Sequence, residues 1–336
     1  MSSAPSAQEI VRDAGWLAQA LDPGTGLARF VEMTPEAYRA ASFLDDRMLQ
    51  GPVNAHTLPF TEIAGALPGD ARRDARWIFH IGHVGSTLVA RLLGELDGVL
   101  SIREPRILRD VAGMPGEQRG PIVPAVQKLL SRTFAADETA LVKATSFVSE
   151  IAPELVPPGE RALFMYATPR NYIASILAGE NSGRELRALA PSRTQRLARR
   201  VSALWAAHSD AELAAVAWAC EMTALEAAAD AMADRPIDWA DFDRMLDNMP
   251  VELSRVAKFF GFEAAPGQLA ALATGPLMSR YSKALEYEYS AGLRRDLIAE
   301  AAAAHGGAID GALAMLRSAA EKSPMLARSL ARAGEA

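Results

Sequence analysis

Short apolar runs alternate with longer segments of helical periodicity along the centre of the chain. Such runs lie at 77–81, 99–102, 140–143, 162–166 and 236–239. Uniformly apolar runs of this length are typical of strands buried on both faces, and a helical segment between consecutive strands is the usual connection in a parallel sheet. The pattern therefore predicts an α/β fold with a mostly parallel sheet flanked by helices. Sheets of this kind bind ligands beyond the carboxyl ends of their strands.

Alanine is concentrated in two later segments, 198–233 and 299–333. Alanine is the strongest helix former, and apolar residues recur there at steps of three and four, so we expect long helices in both segments. The apolar stripe that begins at Val201 is expected to pack on the domain, with Arg196, Arg199 and Arg200 on a solvated face.

The first part of the chain fits the α/β pattern less well. Segment 35–44 has helical periodicity, and Thr34 is placed to cap its amino end. We therefore interpret residues 1–70 as an N-terminal helical extension packed on an α/β domain that covers 71–336.

Composition narrows the class of protein. The chain has 336 residues, 50% of them hydrophobic and 23% charged, with a formal net charge of −6. This length and apolar content suit a globular domain with a substantial core. The acidic balance argues against a nucleic-acid partner, because a basic face supplies most of the affinity for nucleic acid.

Targeting and metal signals are also missing from the sequence. The start of the chain has no basic region followed by an apolar run, and no stretch approaches the roughly 18 apolar residues of a membrane span. We therefore expect a cytoplasmic protein without a membrane span. Cys220 is the only cysteine, and we interpret it as a small core residue, with no disulfide and no zinc site.

The turn after the first predicted strand, residues 82–87, reads Gly-His-Val-Gly-Ser-Thr and leads into a helical segment. Free N–H groups at a helix start, together with the helix dipole, make such a turn an anion site. It is not a Walker A loop, because the Gly-Lys-Ser/Thr core is missing. The alternative is an ordinary strand-to-helix turn with a serine cap. The candidate phosphate-binding residues are His83, Val84, Gly85, Ser86 and Thr87.

The stretch 79–88 resembles the 5′-phosphosulfate loop of the sulfotransferases, whose usual form is Pro-(Lys/Arg)-Ser-Gly-Thr-Thr. That family has a P-loop-like α/β fold and transfers a sulfuryl group from 3′-phosphoadenosine 5′-phosphosulfate (PAPS) to a hydroxyl or an amine. The resemblance implies PAPS as cofactor, the desulfated nucleotide PAP as product, and no metal. His83 stands where the family usually has lysine or arginine; a protonated histidine can serve there, because a neighbouring phosphate favours that form.

Glu104 follows the second predicted strand, and Lys143 ends the third. In the tyrosylprotein branch of the sulfotransferases, which the chain resembles most in pattern, a glutamate at a similar place is the catalytic base, so the resemblance implies that role for Glu104. A family lysine from the region of Lys143 stabilises charge on the bridging oxygen. Arg103 and Arg106 flank Glu104 and are expected to keep its carboxylate ionised. The alternatives are a surface ion pair for Glu104 and a lysine that extends to solvent.

Segment 164–175 resembles the 3′-phosphate segment of the same family. The resemblance implies that Arg170 and Ser175 hold the 3′-phosphate, although Ala167 stands in place of the family's first arginine. The alternatives are a solvated arginine in the first helical turn and a polar residue within a packed helix face.

Two later segments are similar to the family in order along the chain. Segment 237–242, followed by a helix near 251–262, resembles a structural landmark, and we assign it no chemistry. Segment 278–284 resembles the basic loop that closes over the cofactor, which implies nucleotide contacts from Ser282, Lys283 or Arg280. An exposed loop between helices is the alternative there.

The sequence therefore predicts a PAPS-dependent sulfotransferase with a small-molecule or peptide acceptor, whose contacts we expect from 1–70 and 180–230. One alternative is a nucleotide-dependent kinase, which would need a magnesium site, and no apolar strand ending in aspartate is evident near 161–167. The other is a non-catalytic binding protein of the same fold, for which His83 and Ala167 are the evidence because they replace two cations.

Overall fold

The computed structural model describes residues 4–202, 205–280 and 290–335. In these ranges the strands are β1 (Trp16–Asp22), β2 (Leu27–Glu32), β3 (Ala55–Pro59), β4 (Arg76–His80), β5 (Val99–Arg103), β6 (Thr139–Lys143), β7 (Ala162–Tyr166) and β8 (Ile237–Asp241). The helices are α1 (Ala7–Arg12), α2 (Pro35–Ala40), α3 (Phe60–Ala66), α4 (Ser86–Leu93), α5 (Arg106–Ala112), α6 (Gly116–Arg119), α7 (Val123–Leu130), α8 (Ala152–Leu155), α9 (Pro169–Leu177), α10 (Glu180–Ala198), α11 (Asp210–Ala231), α12 (Phe242–Asp247), α13 (Met249–Phe260), α14 (Gln268–Thr274), α15 (Ala291–Ala320) and α16 (Pro324–Arg332). Short 3₁₀ helices lie at Asp46–Gln50, Ser146–Ile151 and Pro276–Ser279.

A five-stranded sheet forms the centre of the molecule, in the order β5-β6-β4-β7-β8. Every neighbouring pair of its strands is parallel, so the predicted strands and the α/β class are confirmed. From the central β4 the chain runs to β5 and β6 on one side and then to β7 and β8 on the other. This reversal places a crevice at the carboxyl end of β4, where parallel sheets bind their ligands.

The N-terminal segment is not a helical extension, and that prediction is wrong. Strands β1, β2 and β3 form a three-stranded antiparallel sheet, and β1 packs on helices α5 and α7. The helix predicted near 35–44 is present as α2, and the Thr34 hydroxyl accepts a hydrogen bond from the backbone of Ala37. The division of the chain at residue 70 stays a prediction.

The buried Arg103 joins this segment to the central sheet. Its guanidinium donates hydrogen bonds to the backbone carbonyls of Tyr38, Arg39 and Ala41. The Leu44 N–H in turn donates to the Arg103 carbonyl at 2.8 Å. The stretch that follows Leu44 is thereby held next to the carboxyl end of β5.

The alanine-rich helices are confirmed as α11 and α15, but the stripe predicted from Val201 is wrong, because the described residues between α10 and α11 are not helical. The predicted solvated face is confirmed for Arg199, which is exposed, and wrong for Arg196 and Arg200. Arg196 donates to both oxygens of the buried Glu221 at 3.1 Å, and Arg200 donates to Glu150 at 2.7 Å. Acidic residues from neighbouring elements therefore draw these arginines inward. Burial also raises the pKa of the Cys220 thiol to about 12, in keeping with a core residue.

Candidate active site

The turn between β4 and α4 has an unusual backbone. Gly82, His83 and Gly85 have φ values of 85°, 55° and 60°, which lie in the left-handed region. Glycine adopts this region without strain, whereas a side chain there costs about 1–3 kcal/mol. Among the described residues, the non-glycine residues with positive φ are His83 and Glu104, the latter at 54°. Both were singled out from the sequence as candidate site residues.

Residues 84–88 line a cavity of about 330 Å³. Within the described part of the chain, none of their backbone N–H groups donates to a protein acceptor. The first hydrogen bond of the helix is donated by Val89 to the Gly85 carbonyl at 3.1 Å. A row of unpaired amides at a helix start is the arrangement that binds anions in proteins.

Thr87 adds a side-chain donor to this cavity. The residue is 2% exposed, and its hydroxyl has no hydrogen-bond partner among the described residues. Because a buried hydroxyl without a partner costs about 1–3 kcal/mol, the position indicates a ligand that supplies the acceptor.

We expect Thr87→Val to leave the thermal midpoint unchanged or slightly raised, because valine keeps the shape and removes the unpaired hydroxyl. The same variant should bind PAP about tenfold more weakly in calorimetry, since one hydrogen bond to a charged group is lost. Ser149→Ala is the matched control, because it removes a buried unpaired hydroxyl that does not line this cavity. Equal PAP affinity in Thr87→Val and wild type would contradict this assignment.

Glu104 and Lys143 meet at the opposite wall of the same cavity. They follow adjacent parallel strands, and the Glu104 N–H donates to the Lys143 carbonyl at 2.7 Å. The Lys143 ammonium donates to Oε1 of Glu104. The Glu104 side chain is 9% exposed and that of Lys143 is 1% exposed, so this is a buried ion pair. The Glu104 carboxylate thus has a fixed cation beside it in the wall of the cavity.

The second cation on Glu104 is Arg47, from the N-terminal segment. Its Nη2 lies 3.1 Å from Oε2 of Glu104 and 2.7 Å from the Asp45 carboxylate, and its guanidinium stacks 3.3 Å from the centre of the Phe43 ring. Burial opposes the charge on Arg47, but the hydrogen bonds and charges of Asp45 and Glu104 outweigh it and raise its pKa. Sequence reasoning missed Arg47, because only the docked N-terminal segment brings it to the site.

The expectation that Arg103 and Arg106 flank the Glu104 carboxylate is wrong. The Arg103 guanidinium turns to backbone carbonyls of the N-terminal segment, and Arg106 pairs with Asp46 and Asp110. Since β5 ends at Arg103, the chain turns sharply at Glu104 and sends the three side chains in different directions.

His80, at the end of β4, also lines the cavity and was missed. Its Nδ1 accepts a hydrogen bond from the Gly82 N–H at 2.9 Å, so the ring proton is on Nε2, which donates to the Ala144 carbonyl at 2.9 Å. Its Nε2 lies 3.9 Å from Oε1 of Glu104. The imidazole thus links the loop, through Gly82, to the residue that follows Lys143 at the end of β6.

Gly85 lies against the ring of Phe242, and a Cβ built at Gly85 would be 1.9 Å from that ring. The need for glycine at this position therefore comes from Phe242 as well as from the positive φ. Phe242 follows β8 and lines the cavity, although the landmark that contains it was assigned no chemistry. The guanidinium of Arg294 lies 5.1 Å from the centre of the Phe242 ring, and Arg294 also lines the cavity.

The residues expected at the 3′-phosphate divide into two groups. Ser175 lines the cavity, and its hydroxyl donates to the Tyr172 carbonyl at 2.8 Å. Arg170 is half-exposed, pairs with Asp310 of α15 at 2.7 Å, and is not among the residues that line this cavity. The structure therefore does not bring Arg170 together with the loop. Ser282 and Lys283 lie outside the described residues.

The described residues, 4–202, 205–280 and 290–335, contain no group of three or more His, Cys, Asp or Glu side chains arranged to hold a metal ion. None of their helices has the length and apolar content needed to cross a membrane.

Comparisons with known proteins give a likeness to solved structures and no family match. No protein family and no curated protein matches the chain. Among solved structures, the chain is similar to the sulfotransferase domain from the curacin biosynthetic pathway, with 12% sequence identity and a TM-score of 0.40, over 66% of this chain and 85% of that one. This structural similarity is too low to assign a function. The function is therefore inferred from the geometry of the cavity.

Proposed function

We propose that the chain is a sulfotransferase, which moves a sulfuryl group from PAPS to a hydroxyl or amine of an acceptor. One observation carries this proposal: the unpaired amides of residues 84–88 and the buried ion pair Glu104–Lys143 line the same cavity. An anion site next to an ionised base is what sulfuryl transfer to a hydroxyl requires.

The donors of residues 84–88 suit the phosphosulfate end of the nucleotide. The amides of residues 84–88 and the Thr87 hydroxyl have no acceptor in the described part of the chain, so an anion would satisfy them. His83 and Ser86 border the same space, and Ser175 and Arg294 lie on its other walls. Because Arg170 does not line this cavity, we assign the cationic contact to Arg294, whose guanidinium also pairs with Asp243 at 3.1 Å. PAPS, when bound, supplies the activated sulfuryl group.

Glu104 is the base in this proposal. Its carboxylate would accept the proton of the acceptor hydroxyl, which becomes a nucleophile as that proton leaves. The charges of Lys143 and Arg47 keep the carboxylate ionised before the reaction. Lys143 is also a fixed cation beside the cavity, where it stabilises negative charge that develops during transfer.

A second candidate function is nucleotide or ligand binding without transfer. The observation in its favour is that Ala167 is buried, with its carbonyl accepting from the Trp218 indole at 3.0 Å, and that Arg170 is engaged elsewhere. One pair of measurements separates the two functions. Calorimetry with PAP tests the cofactor site, and transfer of labelled sulfate from PAPS to a panel of phenols, alcohols and amines tests catalysis.

PAP binding with transfer supports the sulfotransferase, and PAP binding without transfer to any acceptor supports the binding protein. No PAP binding at millimolar concentration would overturn both PAPS-based functions. The assays are run with and without magnesium, because a phosphoryl-transfer enzyme would need the metal, whereas a sulfotransferase should show no stimulation.

A further inference from the structure

A second cavity, of about 370 Å³, adjoins the first and shares His80, His83 and Glu104 with it. The rest of its wall comes from the N-terminal segment, from the loop after β6, and from helix α10. Glu104 therefore faces two spaces, one above the loop amides and one beside α10.

Arg193 of α10 is the unusual residue of this second wall. It is 6% exposed, and among the described residues its guanidinium makes no hydrogen bond. Arg193 forms an ion pair with Glu221, in which Nε lies 3.6 Å from Oε1. The oxygens of Glu221 already accept hydrogen bonds from Arg196. An arginine has five N–H donors, and burying them without acceptors is costly.

The charge on Arg193 is retained in spite of its burial. Burial disfavours the guanidinium charge, but neighbouring groups that include the Glu221 carboxylate outweigh it and hold the pKa of Arg193 above its ordinary value. The side chain is therefore a largely buried cation that has one ion pair, with Glu221, and no hydrogen bond among the described residues.

Thr145, in the loop after β6, is an independent observation at the same wall. Its Oγ1 is buried and has no hydrogen-bond partner among the described residues. A cation and a hydroxyl that both lack a hydrogen bond in the described part of the chain, in one cavity, indicate an anionic ligand group.

Carboxylates in the same wall do not supply that acceptor. Asp45 pairs with Arg47, and Glu104 pairs with Lys143. Asp46 pairs with Arg29 and Arg106, and Glu185 is exposed.

We propose that this second cavity binds an anionic group of the acceptor, a carboxylate, phosphate or sulfate, on Arg193 and Thr145. The acceptor class is then a hydroxyl compound that also carries an anion, placed so that its hydroxyl reaches Glu104. The assignment of this ligand as the acceptor rests on the proposed function, whereas the anion site itself does not.

The test is calorimetry with hydroxy carboxylates of graded length, each compared with its own methyl ester, with and without PAP. We expect the best acid to bind at least about tenfold more tightly than its ester, the size of a hydrogen-bonded charge contact. Arg193→Met should remove this preference. Arg184→Met is the matched control, because Arg184 lies on the same helix, is exposed, and pairs with Glu180.

Thr145→Val is a second variant, for use if Arg193→Met fails to fold. We expect it to fold, because the Thr145 hydroxyl makes no hydrogen bond in the described part of the chain that the substitution would remove. It should weaken binding of the acid about fivefold and leave binding of the ester unchanged. Equal binding of every acid and ester, or an acid preference that survives both substitutions, would overturn the anion site.

The two proposals fail separately. If PAP does not bind, the proposed function fails, and the titration without PAP still decides the anion site. If PAP binds and no acid is preferred over its ester, the anion site fails and the proposed function stands.

Discussion

Glu104→Gln is expected to lower the rate of sulfuryl transfer by about 10²–10⁴-fold, the contribution of a positioned general base. Glutamine has the same shape but cannot accept the proton of the acceptor. The affinity for PAP should change by less than about threefold, because the amides of residues 84–88 hold the anion without help from Glu104. Single-turnover transfer with PAPS and calorimetry with PAP measure the two quantities separately.

The control for this variant is Glu160→Gln, which breaks another partly buried ion pair, with Arg76. Glu160 does not line either cavity, so its variant should keep the rate. A Glu104→Gln enzyme with a rate within about threefold of wild type would show that Glu104 is not the base.

Gly85→Ala should abolish binding of PAP and lower the thermal midpoint. The φ of 60° costs about 1 kcal/mol for alanine. The added Cβ would be 1.9 Å from the Phe242 ring, so either the ring or the loop has to move. Because the amides of residues 84–88 bind only when they converge, a displaced loop should weaken PAP binding by more than about a hundredfold.

Gly159→Ala is the control that introduces the backbone strain of alanine at a positive φ without a steric clash. Gly159 has a φ of 84°, and a Cβ there would meet no atom within 4 Å. This control should lose about 1 kcal/mol of stability and keep its affinity for PAP. The double variant Gly85→Ala/Phe242→Ala removes the clash and should recover part of the PAP affinity. Wild-type affinity in Gly85→Ala alone would contradict the importance of this contact.

The central sheet was predictable because its strands are buried on both faces and form uniform apolar runs. Strand β1 was not, because the polar Gln19 lies inside it, completely buried, where it accepts a hydrogen bond from Arg29 at 2.8 Å. Strand β3 has no buried residue, so it has no apolar face to detect. Both strands depend on partners that the local sequence does not reveal.

The candidate site was predictable where it follows the ends of strands. Glu104 and Lys143 follow β5 and β6, which are adjacent and parallel, so strand order alone brings them together. Arg47 and Arg193 belong to elements far away in sequence, and only packing brings them to the cavities. Arg170 was expected at the nucleotide, but Asp310, far along the chain, captures its guanidinium. Pairings of this kind depend on tertiary contacts that local sequence patterns do not encode.

The central claim is that the backbone amides of residues 84–88 bind the anionic end of a nucleotide. Amide NMR of the labelled protein during a titration with PAP tests it most directly, since each of these N–H groups reports on its own hydrogen bond. We predict that the largest shifts fall on residues 84–88 and saturate together with the calorimetric binding curve. Saturable binding of PAP that leaves these amides unshifted, or the absence of binding at millimolar PAP, would contradict the claim.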